Sequence, residues 1–228
     1  MKERGILFSA PMVRALMDGS KTQTRRVIKD QSIGEHFSHM TDDGRAHLEW
    51  LGEPSCGSGV WDVPEYSANV ASPYGVPGDR LWVREAWRAP TGIFDGYPPR
   101  DLRPGTPLRY EADGANSHTT FSPGKLRPSM FMPRWASRIL RELVSVRVEQ
   151  LQDISEVDAV AEGIRISSKV RRSDACYGIY ECSMPDGKTH FNDSACALYR
   201  VLWEQLNGPG SWDVNPWVWA YGLKEVKP

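Results

Sequence analysis

Short apolar runs with strand or helix periodicity alternate along this chain with long polar stretches rich in Gly and Pro. Gly5-Ile6-Leu7-Phe8 suits a first strand, and Ser9 can cap the helix that follows. From Pro11 to Met17, Val13, Leu16 and Met17 fall on one helix face, and Gly19 stops that helix. Turn chemistry at Pro73–Asp79 leads into Arg80–Trp87, whose apolar and charged mixture predicts a half-exposed strand. The β-branched content of Ser137–Leu151 predicts one or two long strands. Ser155, with Asp158 three residues on and Gly163 as stop, brackets the clearest helix. A second helix is expected over Ser194–Leu206, with Leu198, Val201, Leu202 and Leu206 buried. The chain closes on a strand that puts Trp217, Trp219 and Tyr221 on one face, an arrangement more common in cores than in base-stacking surfaces.

Three stretches break this pattern. Residues 30–72 read as an insertion with a hairpin. Residues 90–128 are rich in Pro and Gly, with one strand near Leu108–Ala112, and loops of this kind often carry binding residues. Residues 165–193 are polar and irregular, with Lys169-Val170-Arg171-Arg172 as a basic tip. The expectation is α+β architecture in a single domain, 1–228, with these three insertions.

Composition narrows the function classes. The 228 residues are 40% hydrophobic and 25% charged, as in a globular protein with an apolar core. A formal net charge of −1 gives no global attraction to nucleic acid, so such binding requires a local patch. No apolar run approaches the roughly 18–20 residues that span a bilayer. The start, Met1-Lys2-Glu3-Arg4-Gly5, has no long apolar segment behind it, which predicts a cytoplasmic location. The four cysteines form no C-x-x-C pair, and Cys176, Cys182, His190 and Cys196 are too irregularly spaced for a zinc module. His36 and His39 fall in a polar loop. No metal or cofactor is expected.

The densest chemistry is Asp18-Gly19-Ser20-Lys21-Thr22-Gln23-Thr24-Arg25-Arg26. A turn here would bring the Lys21 amine near the Thr24 hydroxyl. Such a pair can serve as base and nucleophile if burial lowers the lysine pKa to about 7–8. The alternative is a solvated basic turn. A second basic element carries Arg134, Arg138, Arg141 and Arg147, either facing water or forming a nucleic-acid footprint.

Gly19, Lys21 and Arg26 match Gly-x-Lys-x-x-x-x-Arg and resemble the signature of the ASCH family, a PUA-like β-barrel with flanking helices. Where many ASCH proteins carry Glu, this chain has Thr24. It thereby resembles the subset Gly-x-Lys-Thr-x-Thr-x-Arg, which includes the small bacterial N4-acetylcytidine amidohydrolases. Gly78-Asp79-Arg80-Leu81-Trp82-Val83-Arg84-Glu85 and the Trp212–Trp219 segment resemble larger ASCH proteins of phages and prophages. The resemblance implies an amidohydrolase that cleaves the exocyclic amide of N4-acylcytosines or N4-acylcytidines. Its catalytic set would be Lys21 as base, Thr24 as nucleophile or water-positioning group, and Glu162 as proton donor or partner of Lys21. Arg26 would anchor that carboxylate or the oxyanion. Glu85, Tyr74 and Trp82 are further candidates for the substrate cavity. The partner would be a small modified nucleoside or base. A non-catalytic RNA-binding module and a ribonuclease are the alternatives.

Overall fold

The computed structural model describes residues 1–31, 33, 37–41, 44–51, 64–116, 120–167 and 180–226. Cys56, Cys176, His36 and the run 169–172 lie outside them. The chain opens with β1 (Glu3–Leu7), helix α1 (Ala10–Met17) and β2 (Gln23–Val27). Strands β3 (Phe37–Met40), β4 (Ala46–Leu51) and β5 (Pro64–Val70) follow, then β6 (Arg80–Arg84) and β7 (Trp87–Arg88). After the short helix α2 (Ile93–Gly96) come β8 (Arg109–Tyr110) and the long β9 (Leu140–Gln150). Helix α3 (Glu156–Ala161), β10 (Arg165–Ile166), β11 (Tyr180–Ser183), β12 (Thr189–Asn192), helix α4 (Ala195–Asn207) and β13 (Trp217–Glu225) complete a mixed α+β fold.

The central sheet has the order β1-β6-β9-β13-β2, with β1 parallel to β6 and the other pairs antiparallel. Asp79 ties its parallel corner together by accepting from the Lys2 backbone at 2.6 Å and from Arg4 at 2.9 Å. The alternation in β9 shifts at Val144, where the register with β13 breaks between Gly222 and Leu223. This bulge turns Val144 outward while Leu143, Val146 and Val148 all reach the core. The edge strands β1 and β2 share no backbone ladder among the described residues. Arg26 bridges them by donating Nη2 to the Leu7 carbonyl at 2.7 Å.

The three interrupted stretches carry more structure than their polarity predicts. The first holds a three-stranded sheet, β3-β4-β5, in place of a single hairpin. In the second, Arg109–Tyr110 is the one strand among the described residues, paired with Trp87–Arg88, and Ala112 of the expected strand falls in a 3₁₀ turn. The third forms the sheet β10-β11-β12. Its hairpin turn, Pro185-Asp186-Gly187, is a recognisable turn sequence between two alternating runs, and Cys182 and Met184 are buried beneath α4.

Helix α4 buries Leu198 and Leu202 as expected, with Tyr199 and Trp203 beside them, while Val201 is half-buried and Leu206 is 41% exposed. Helix α3 is capped as its sequence predicts, with Ser155 Oγ accepting from the Asp158 amide at 3.1 Å. Leu143 is completely buried at the centre of the sheet. Leu143→Ala should therefore lower stability by about 2–5 kcal/mol, read as a shift of the urea midpoint at unchanged slope.

Candidate active site

Gly19 adopts φ +80, turning the chain out of α1 toward Lys21. The next residues are clamped from three sides. The Lys21 amide donates to the Ala15 carbonyl (2.9 Å) and the Thr22 amide to the Ala161 carbonyl (2.7 Å). The Leu223 amide in turn donates to the Thr22 carbonyl (2.7 Å). Lys21 and Glu162 thus face each other as an isolated antiparallel bridge. Gly163 makes the approach feasible. Its φ is +109, and a Cβ there would lie 3.1 Å from Ala15 Cβ and 3.4 Å from Lys21 Cβ.

Lys21 Nζ donates to Glu162 Oε2 at 2.6 Å and to the Glu162 carbonyl at 2.8 Å, with both side chains buried. Burial pushes the lysine pKa down from its ordinary value, and the carboxylate of Glu162 opposes that shift. The second carboxylate oxygen, Oε1, accepts from Arg25 Nη1 at 3.1 Å. Arg25 also reaches Glu149 Oε1 at 2.7 Å and Asp158 Oδ2 at 3.1 Å. Burial works against its charge, but Glu162 and Glu149 outweigh that and raise its pKa. Arg25, not Arg26, is therefore the anchor of the Glu162 carboxylate. Alternation along β2 sends Arg25 to the acidic side and Arg26 to the face it shares with Thr24.

A cavity of about 540 Å³ opens at the seam between β1 and β2. Phe8, Tyr74, Tyr199 and Trp203 form its aromatic walls, and Arg25, Arg26 and Glu162 are its charged groups. The Arg26 guanidinium lies 5.0 Å from the Phe8 ring centroid, and Tyr74 packs edge-on to Tyr221. Lys21 is not itself among the lining residues, but its Nζ lies 5.7 Å from the centroid of the Phe8 ring in that wall. Thr24 Oγ1 is sealed from solvent, and no described residue hydrogen-bonds it. Both hydrogen bonds of the Lys21 ammonium go to Glu162, so no direct Lys21–Thr24 bond forms.

Of the residues singled out from the sequence, Arg26, Glu162 and Tyr74 line this cavity, Lys21 adjoins it through Glu162, and Thr24 is buried on β2 opposite Tyr221, outside the lining. Glu85 and Trp82 lie elsewhere. Glu85 is buried in a two-pronged pair with Arg138 (2.9 and 3.0 Å), which also holds Asp113. Burial raises the Glu85 pKa, against the pull of Arg138. Trp82 packs under the guanidinium groups of Arg84 and Arg134. The arginines of the expected basic footprint are engaged, Arg134 with Glu3, Arg141 with the Leu16 carbonyl and Arg147 with Glu149 and Asp158. Among the described residues no three His, Cys, Asp or Glu side chains gather to hold a metal. Cys182 faces His190 across β11 and β12, and Cys196 donates to the Ile154 carbonyl.

Phe8, Tyr199, Trp203 and Arg25 are the site residues that sequence reasoning passed over. The i, i+4 aromatic pair Tyr199 and Trp203 on α4 was the available signal. Comparisons with protein-family models, with curated proteins and with solved structures gave no match for this chain.

The lysine shift has a measurable sign. Between its depressed pKa and 10.5, the unfolded chain holds a proton on Lys21 that the folded protein does not. Stability therefore rises with pH through that window. Wild type should gain stability relative to Lys21→Met as pH climbs toward 10.5, measured by urea unfolding at stepped pH. Parallel curves would mean that the buried amine keeps its proton.

Proposed function

We propose that this chain is an amidohydrolase of N4-acylated cytosines, with a PUA-like arrangement of its central sheet. The observation that carries the reading is the buried Lys21–Glu162 pair beside an aromatic-walled cavity that Glu162 lines. A volume of about 540 Å³ falls within the range typical of small-molecule sites. Flat aromatic walls suit a nucleobase, since every base has a face to stack. The resemblance of Gly19, Lys21, Thr24 and Arg26 to the ASCH amidohydrolase motif points the same way.

Two routes are open to such a site, attack by Thr24 or attack by water. The sealed Thr24 hydroxyl and the cavity-facing Glu162 support water. Glu162 takes a proton from water as the water oxygen adds to the acyl carbon. The resulting oxyanion lies in the field of Arg26, a fixed cation on the wall. Collapse breaks the bond to N4, and Glu162 returns the proton to that nitrogen. The products are the free cytosine amine and a carboxylic acid. Lys21 holds Oε2, and Arg25 holds Oε1, so the carboxylate keeps one orientation through both transfers.

An RNA footprint along Arg138 and Arg141 would have to break the contacts these side chains already make.

Hydrolysis of N4-acetylcytidine, followed by ultraviolet absorbance, tests the assignment. Wild type should turn over. Glu162→Gln and Lys21→Met should each lose about 10²–10⁴-fold in kcat, while Thr24→Val should lose much less. A Thr24→Val loss equal to that of Glu162→Gln would instead make Thr24 the nucleophile. No turnover by wild type would remove the amidohydrolase reading.

A further inference from the structure

The second interrupted stretch builds a surface that the cavity chemistry does not use. Two grooves of about 480 and 470 Å³ lie side by side there, sharing Pro98, Pro99 and Phe131. Phe131, Met130, Leu126 and Tyr97 are 54, 56, 48 and 45% exposed. Such a cluster of exposed large apolar side chains marks a contact surface. It is firmly supported from below. Trp87, Met132 and Ala136 form a small core of their own, and Arg127 lies across Trp87 while donating to the Phe94 carbonyl. Arg84 donates to the Met130 carbonyl and fixes the far side.

The charge of this surface departs from that of the chain. With 28 basic and 29 acidic residues overall, a random patch would carry both signs. The lining of the two grooves contains Arg84, Arg100, Lys125 and Arg127 and no carboxylate. Arg100 is 87% exposed in its side chain, with only a loose 3.7 Å contact to Asp101 outside the grooves. The surface also adjoins the cavity. Ser129, one residue before Met130, is part of the cavity wall.

We propose that these grooves bind single-stranded nucleic acid, with bases stacked on Phe131 and Tyr97 and phosphates against Arg84, Arg100 and Lys125. The strand would run past Ser129 and present a nucleobase to the cavity. Exposed aromatic side chains beside exposed cations are what such a strand recognises, since stacking tolerates any base and cations follow the backbone. An acidic peptide could satisfy the cations, but it would leave the exposed ring faces unused. This inference deepens the amidohydrolase reading and rests on it for the base that enters the cavity.

Fluorescence anisotropy of a labelled ten-residue oligocytidylate, titrated with the full chain at several salt concentrations, tests it. Phe131→Ala and Arg100→Gln are the variants, both exposed and both outside the cavity. Phe131→Ala should weaken binding roughly tenfold. Arg100→Gln should reduce the slope of log affinity against log salt by about one. Hydrolysis of free N4-acetylcytidine should be unchanged in both. Absence of strand binding, or binding that neither variant alters, would overturn the proposal even if the nucleoside is hydrolysed. An oligoglutamate peptide that binds as tightly as the oligonucleotide would also overturn it, assigning the grooves to an acidic protein. Phe131-dependent strand binding without nucleoside hydrolysis would leave the surface assigned and the amidohydrolase reading refuted.

Discussion

An ammonium group with no access to water is the constraint on which the rest of this structure turns. Removing Lys21 from solvent costs several kcal/mol unless a counter-charge meets it with good geometry. Glu162 supplies both a carboxylate and a carbonyl to the same nitrogen. That double contact is possible only because the two backbones run side by side as a bridge, and Gly163 permits the spacing. The carboxylate is itself buried and has a second oxygen to satisfy. Arg25 fills that need, and its remaining donors require Glu149 and Asp158 in turn. One buried lysine thereby draws side chains from β2, β9 and α3 into a single alternating network. Partial satisfaction would cost more than an apolar replacement, so the members are specified together.

The cavity follows from an opening in the sheet. Where β1 and β2 separate, the Arg26 side chain takes over the role of a backbone ladder. A side-chain bridge leaves room beside it, which Phe8, Tyr74, Tyr199 and Trp203 surround without filling. Glu162 lines this space because it follows the last turn of α3, and Lys21 holds its carboxylate from within the buried network.

Much of this was legible in the sequence, and the limits have physical causes. Helices α1, α3 and α4 announced themselves through caps, periodicity and stop glycines, which act within a few residues. Lys21, Thr24 and Glu162 were legible as candidates, and the fold pairs Lys21 with Glu162 while leaving the Thr24 hydroxyl without a described partner. Arg25 was not distinguished from Arg26 because strand alternation says that neighbours point oppositely, never which side meets α3. Tyr199 and Trp203 were left out of the stripe on α4 because they carry polar atoms and scored below Val201 and Leu206 as core. Glu85 looked like a cavity residue from its place after Gly78-Asp79, yet Arg138, 53 residues on, claims it. Long-range pairings of that kind leave no local trace.

The insertions differ in how they are held, and the difference bears on what they can do. The β3-β4-β5 sheet joins the main core through Leu48 and through Phe37 against Trp217. The β10-β11-β12 sheet lies under α4 and is pinned at its edge by Arg165 and Asp18. Among the described residues, Ala46 and Leu48 of the first and Cys182 and Met184 of the second are buried in the common interior. The stretch around Phe131 has its own core beneath it and is tied to the main sheet by the buried Glu85–Arg138 pair. Prolines at 98, 99, 128 and 133 fix φ along it, which reduces the entropy lost on ordering those turns. Stability there does not depend on covering Met130 or Phe131. Met130 and Phe131 can remain exposed because the scaffold that carries them packs without them.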